Sequence, residues 1–125
     1  MSLKVSGFSG SALDYKIVYF DNQNTPTAAI QENVTGTSGR WYSVDIDNKS
    51  GSPVYLRLYD GLDAVLGTTA SHWGFMCKAS TFERIEIPGG APFATALNLW
   101  TTSGDDPKDN TAPASSGVVV TVVCS

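Results

Sequence analysis

The residues able to do chemistry in this chain are few and far apart. His72, in Ser71-His72-Trp73-Gly74, is the only histidine among 125 residues, and serine-type hydrolysis needs a base held against a nucleophile. With no Gly-x-Ser-x-Gly elbow in the chain, a histidine beside a tryptophan reads as a packed or rim residue. Ser9-Gly10 and Gly89-Gly90 lack the spacing and the following helix that a phosphate cradle requires. One histidine and two distant cysteines, Cys77 and Cys124, cannot close a tetrahedral metal site. Each cysteine sits in an apolar stretch and reads as a buried thiol, with a pair adjacent across two strands as the alternative. The loop Gly104-Asp105-Asp106-Pro107-Lys108-Asp109-Asn110 concentrates the oxygen donors that Ca²⁺ takes, but Lys108 stands in its middle and the spacing is not that of an EF-hand. It reads as a solvated loop of turn formers. The remaining carboxylates are too dispersed to form a glycosidase pair. The sequence therefore leads us to expect no catalytic residue, no metal, no cofactor and no enzyme activity.

What remains is adhesion. Trp41, Tyr55, Tyr59, Trp73 and Trp100 are the candidate interface residues, because large amphipathic rings anchor protein contacts and stack on sugars. Trp41 falls out of phase with Tyr42, Val44 and Ile46, and Trp100 out of phase with Phe93, Leu97 and Leu99, which predicts an outer face for both. The competing reading is that a small domain uses some of these rings to fill its core.

The elements that must carry these residues are strands. Apolar residues recur with a period of two in segments bounded by Gly, Pro, Asn, Asp or Ser, and no helix is predicted. The expected strands are Asp14 to Phe20, a weaker one at Thr27 to Thr35, Arg40 to Asp47, Val54 to Asp60, Ser71 to Lys78, Thr81 to Ile87, Pro92 to Thr101 and Gly117 to Cys124. Tyr42, Val44 and Ile46 are expected to face inward. Asn48 to Pro53 should close a hairpin onto Val54 to Asp60, and Pro88-Gly89-Gly90 should separate two strands. Val118 to Val123, apolar on both faces, suits the centre of a sheet. The pattern implies an all-β fold, a two-sheet β-sandwich (jelly-roll or Ig-like) of about eight short antiparallel strands. Residues 1–125 form one domain, in which residues 1–13 are expected as an extended arm ordered against a partner.

Composition narrows the partners. Charged residues make up only 16% of the chain, against about 25% in ordinary soluble domains, and the net charge is -4. The eight lysines and arginines are scattered singly, so nucleic acid is a poor partner. No apolar run long enough for a signal peptide or a membrane span is present, and synthesis in the cytoplasm is expected.

Several elements, in order, carry a resemblance: Trp41-Tyr42-Ser43-Val44 leading to Asp47-Asn48; Tyr55-Leu56-Arg57-Leu58-Tyr59-Asp60; Gly67-Thr68-Thr69; Ile87-Pro88-Gly89-Gly90 with Phe93-Ala94-Thr95-Ala96-Leu97; Asp109-Asn110-Thr111-Ala112; and Val118-Val119-Val120-Thr121. The stretch from Trp41 to Val123 resembles small tailed-bacteriophage virion proteins of the capsid decoration, or cement, type. It departs at Ser71-His72-Trp73-Gly74-Phe75-Met76-Cys77, where a smooth apolar strand is expected. The resemblance implies a protein on the virion surface that reinforces contacts between capsomers, with the major capsid protein and its own copies, as a homodimer or homotrimer, for partners. It carries no named site residues. A tail or fibre component, or a carbohydrate-binding β-sandwich module, is the alternative.

Overall fold

Period-two alternation becomes strand wherever one face can be buried, and most of the expected segments do so. The computed structural model of the protein describes residues 2–7 and 15–125. Among them are eight strands and no helix: β1 Ser2–Gly7, β2 Lys16–Asn22, β3 Gly39–Asn48, β4 Val54–Asp60, β5 Trp73–Cys77, β6 Phe82–Phe93, β7 Leu97–Thr102 and β8 Val118–Cys124. All pairings are antiparallel, in a five-stranded sheet ordered β1-β2-β8-β3-β6 and a three-stranded sheet ordered β5-β4-β7. The inner faces meet in one core that includes Val18, Phe20, Val44 and Ile46 from the larger sheet and Val54, Leu56, Leu58 and Leu99 from the smaller. The chain is a two-sheet β-sandwich. As its apolar sequence predicts, β8 holds the centre of the larger sheet, with Val118, Val120, Val122 and Cys124 inward.

Segment 27–35 is not a strand. Its one bridge joins Gln31 to Leu99, with the Val34 N–H donating to the Leu97 carbonyl at 2.9 Å. Asn33, at φ 50°, breaks the extended backbone that a longer ladder requires. The segment still lies along the free edge of β7, and this completes a nested set of pairings: β2 with β8, 27–35 with β7, β3 with β6, and β4 with β5. A ribbon folded back on itself and wrapped into two sheets gives that nesting, which is the jelly-roll wiring.

Two further expectations are corrected. The expected hairpin between β3 and β4 does not form, because the two strands belong to different sheets. The Asn48 side chain turns the chain across instead: its Oδ1 accepts from the Ser50 N–H and Oγ, and its Nδ2 donates to the carbonyls of Ser52, Cys77 and Lys78. Pro88-Gly89-Gly90 does not end a strand either, since β6 runs through it. Residues 87–90 stand opposite Tyr42 alone, as Ala91 pairs with Trp41 and Glu86 with Ser43. Gly89 and Gly90, at φ 82° and 80°, supply backbone that other residues rarely adopt. Within the expected arm of residues 1–13, Ser2–Gly7 pair with β2 as β1; Met1 and residues 8–13 lie outside the described ones.

Both cysteines are free and buried. Trp41 pairs with Cys124 at one end of β3, while Asn48 at the other end reaches the Cys77 carbonyl. The alternative of an adjacent pair is thereby overturned. Burial pushes the Cys124 thiol up to about 11, despite the opposing pull of Lys16. A thiol held protonated in the fold contributes stability that is complete below its ordinary value near 9.0 and is lost as pH rises towards about 11. Urea titrations should therefore show stability falling across that window more steeply for the native chain than for Cys124→Ala. Equal slopes would mean that the thiol is solvated.

Candidate functional site

The bulge that displaces residues 87–90 also resets the phase of β3. The register shifts between Trp41 and Ser43, so Trp41, Val44 and Ile46 all point inward and are fully buried, while Tyr42 turns outward. The expected outer position of Trp41 and the inner one of Tyr42 are both overturned by that extra residue. Trp41 packs edge to face against Trp73 and Phe75, at centroid distances of 5.9 and 5.7 Å. Trp73 lies on the inner side of β5, half-buried against the core.

Trp100 is on the outer face of its sheet, as its phase predicts, yet it is only 1% exposed. The segment at Gly104 to Asp106 lies against this face beside Trp100, at Arg57. Arg57, opposite Trp100 on β4, donates to the carbonyls of Gly104 and Asp106 at 2.9 and 3.1 Å and holds the segment down. Burial lowers the Arg57 pKa, and Asp109 foremost among the nearby acidic groups opposes that shift. Arg57 is the anchoring residue the pattern reading missed. Its signal was a charge in the middle of an otherwise apolar and aromatic strand.

The acidic loop spends its carboxylates on its own backbone. Asp109 Oδ2 accepts from the N–H groups of Gly104 and Thr111, and Asp106 Oδ1 from that of Lys108. Among the described residues no group of three or more His, Cys, Asp or Glu could hold a metal ion.

Tyr55 and Tyr59 occupy the outer face of β4, both half-buried. The Arg57 guanidinium lies 5.2 Å from the Tyr55 ring centroid. Tyr59 stacks on His72 at 4.3 Å, and His72 meets Trp73 edge-on. His72 Nδ1 accepts from the Asp60 N–H at 2.9 Å, which puts the proton of the neutral ring on Nε2. Tyr59 donates to Asp63, and that bond raises its pKa. For Asp60, burial pushes the pKa up, but the N–H groups of Ala94, Thr95 and Ala96 outweigh it, and the carboxylate ends below its ordinary value. Of the five candidate rings, the structure thus joins Trp41 to Trp73, and Trp73 to Tyr59 through His72. Tyr55 and Trp100 flank Arg57 apart from them.

The exposed surface offers two other features. Leu3 and Val5 pair with Phe20 and Val18, whose side chains face the core, so they extend the inner face of the larger sheet. They are 36% and 47% exposed. The second feature is a groove of about 360 Å³ on the outer face of the larger sheet, lined by Tyr15, Tyr42, Ser43, Glu86, Ile87, Pro88, Gly89 and Val123. No family model, curated protein or solved structure matches this chain.

Proposed function

We propose that the chain is a structural protein that works by binding protein surfaces, and within that class that it is a tailed-phage capsid decoration protein bound to the major capsid protein on the outer head shell. The observation that carries the assembly reading is the overhang at β1. An apolar inner face continues at the exposed Leu3 and Val5, on a strand whose outer edge is unpaired among the described residues. Uncovered edges pair with other chains unless they are closed off, and a two-fold or three-fold oligomer would close this one. The capsid reading is supported by the resemblance over residues 41–123 and by the jelly-roll wiring, an architecture used by viral capsid and lectin domains. Fold alone assigns neither. The carbohydrate-binding alternative uses outward Trp and Tyr rings with the acidic loop as a Ca²⁺ site; of those rings Trp41 and Trp100 are enclosed, while Tyr55 and Tyr59 are half-buried.

The assembly reading is tested by sedimentation of the purified chain beside a Leu3→Asp/Val5→Asp variant. A dimer or trimer that becomes monomeric in the variant is expected; an unchanged state would remove β1 from the interface. Mass spectrometry of purified virions tests the finer reading. A copy number matching the shell lattice is expected, a tail-like number would move the protein to the tail, and absence from virions would end the viral assignment.

A further inference from the structure

The groove on the outer face is the product of a local irregularity. Because residues 87–90 bulge away from β3, Tyr42 is left without a strand partner on that side. A side chain at Gly90 would meet the Tyr42 ring at 2.8 Å, so glycine there makes room for it. The Tyr15 ring stands against it at 5.5 Å and 88°. The two rings make one corner of the groove, the bulge makes its rim, and Glu86 lies on its floor strand.

The charges around this corner are unequal. Arg84, on the same face of β6, is held by both oxygens of Asp45 at 2.7 and 2.9 Å. Glu86 has no hydrogen bond or direct ion pair among the described residues; Arg84 acts on it only through space, and Arg40 at the rim is turned to the carbonyls of Gly89 and Gly90. A carboxylate with no direct ion pair beside two tyrosine rings is complementary to a cation, which gains from the ring quadrupoles as well as from the charge.

We propose that the Tyr15–Tyr42–Glu86 groove receives a basic side chain, arginine or lysine, presented by a partner protein. This rests on the reading that the chain works by binding protein, and it names the chemistry of one contact. The test is an NMR titration that follows the Tyr15 and Tyr42 ring resonances with the peptides Gly-Gly-Arg-Gly-Gly and Gly-Gly-Lys-Gly-Gly. Gly-Gly-Gln-Gly-Gly and methyl glucoside serve as controls. A saturable shift with either basic peptide, absent from both controls and weakened about threefold in Glu86→Gln, is expected from exposed ion-pair and cation–π energies. Equal response to the glutamine peptide, saturation by the glucoside, no saturable shift, or indifference to Glu86→Gln would each overturn it. Glu86 is exposed and unbonded, so this variant keeps the fold. The titration uses no particle, so a groove that ignores arginine and lysine in a chain found on virions overturns only the groove.

Discussion

Trp41→Ala is expected to cost the fold about 3–5 kcal/mol, the range for deleting a buried large aromatic side chain. The ring is fully buried and closes one end of the sandwich against Trp73 and Phe75 from the opposite sheet. Its removal strips contacts from both sheets at once, and strand backbones bridged on either side, to Cys124 and Ala91, cannot collapse into the space. The loss is a large fraction of the roughly 5–15 kcal/mol that holds a domain together. Trp41→Phe should cost less, because a ring still meets Trp73 and Phe75. It also removes a buried indole N–H that finds no acceptor among the described residues. Urea unfolding followed by circular dichroism gives both values. A change within about 0.5 kcal/mol for Trp41→Ala is what a surface ring would show, and it would return Trp41 to the outer face.

That contrast locates what the sequence could tell and what it could not. Strand identity was legible because period two is a local property: β4 and β8 lie within one residue of their expected bounds. The inward set of β3 failed at Tyr42, since one inserted residue inverts the phase of everything before it, and the insertion shows only in the pairings with β8 and with β6, far along the chain. Trp100 failed differently. Its face was read correctly, but whether a face is solvent or floor depends on a later loop and on the Arg57 that fastens it. Sheet membership was illegible for the same reason. Asn48 followed by Gly51 and Pro53 has the composition of a hairpin turn, and nothing local says that the asparagine side chain is already committed to β5. The groove was out of reach too, because Tyr15, Tyr42 and Glu86 meet only after β2, β3 and β6 are assembled.

The asparagines carry the connections that hydrophobic patterning does not encode, and Asn48 is the most exacting of them. Asn22 and Asn98 are likewise buried and bind loop backbone, Asn22 at Thr27 and Asn98 at Asn33, Tyr59 and Gly61. Asn22 also joins the two sheets, donating to Thr101 Oγ1 on β7, while Asn48 does so where the chain crosses from β3 to β4. Asn48→Ala would leave the carbonyls of Ser52, Cys77 and Lys78 and the N–H of Ser50 without that side chain. Each unsatisfied buried group costs about 1–3 kcal/mol. Partial hydration brings the expected total to about 3 kcal/mol, read as a lower urea midpoint. Asn48→Asp separates the two halves of the network. Its oxygens can still accept from Ser50, but ionised they face three carbonyl oxygens that need a donor. Burial and that repulsion must raise the carboxyl pKa in the fold above its unfolded value near 3.9. Stability then falls as pH rises from the unfolded value through the raised one, so the variant is strongest in mild acid, where a protonated oxygen can donate. Asn48→Ala should not share that dependence relative to the native chain. If both variants unfold within about 1 kcal/mol of it at every pH, the crossing between sheets is held by packing alone.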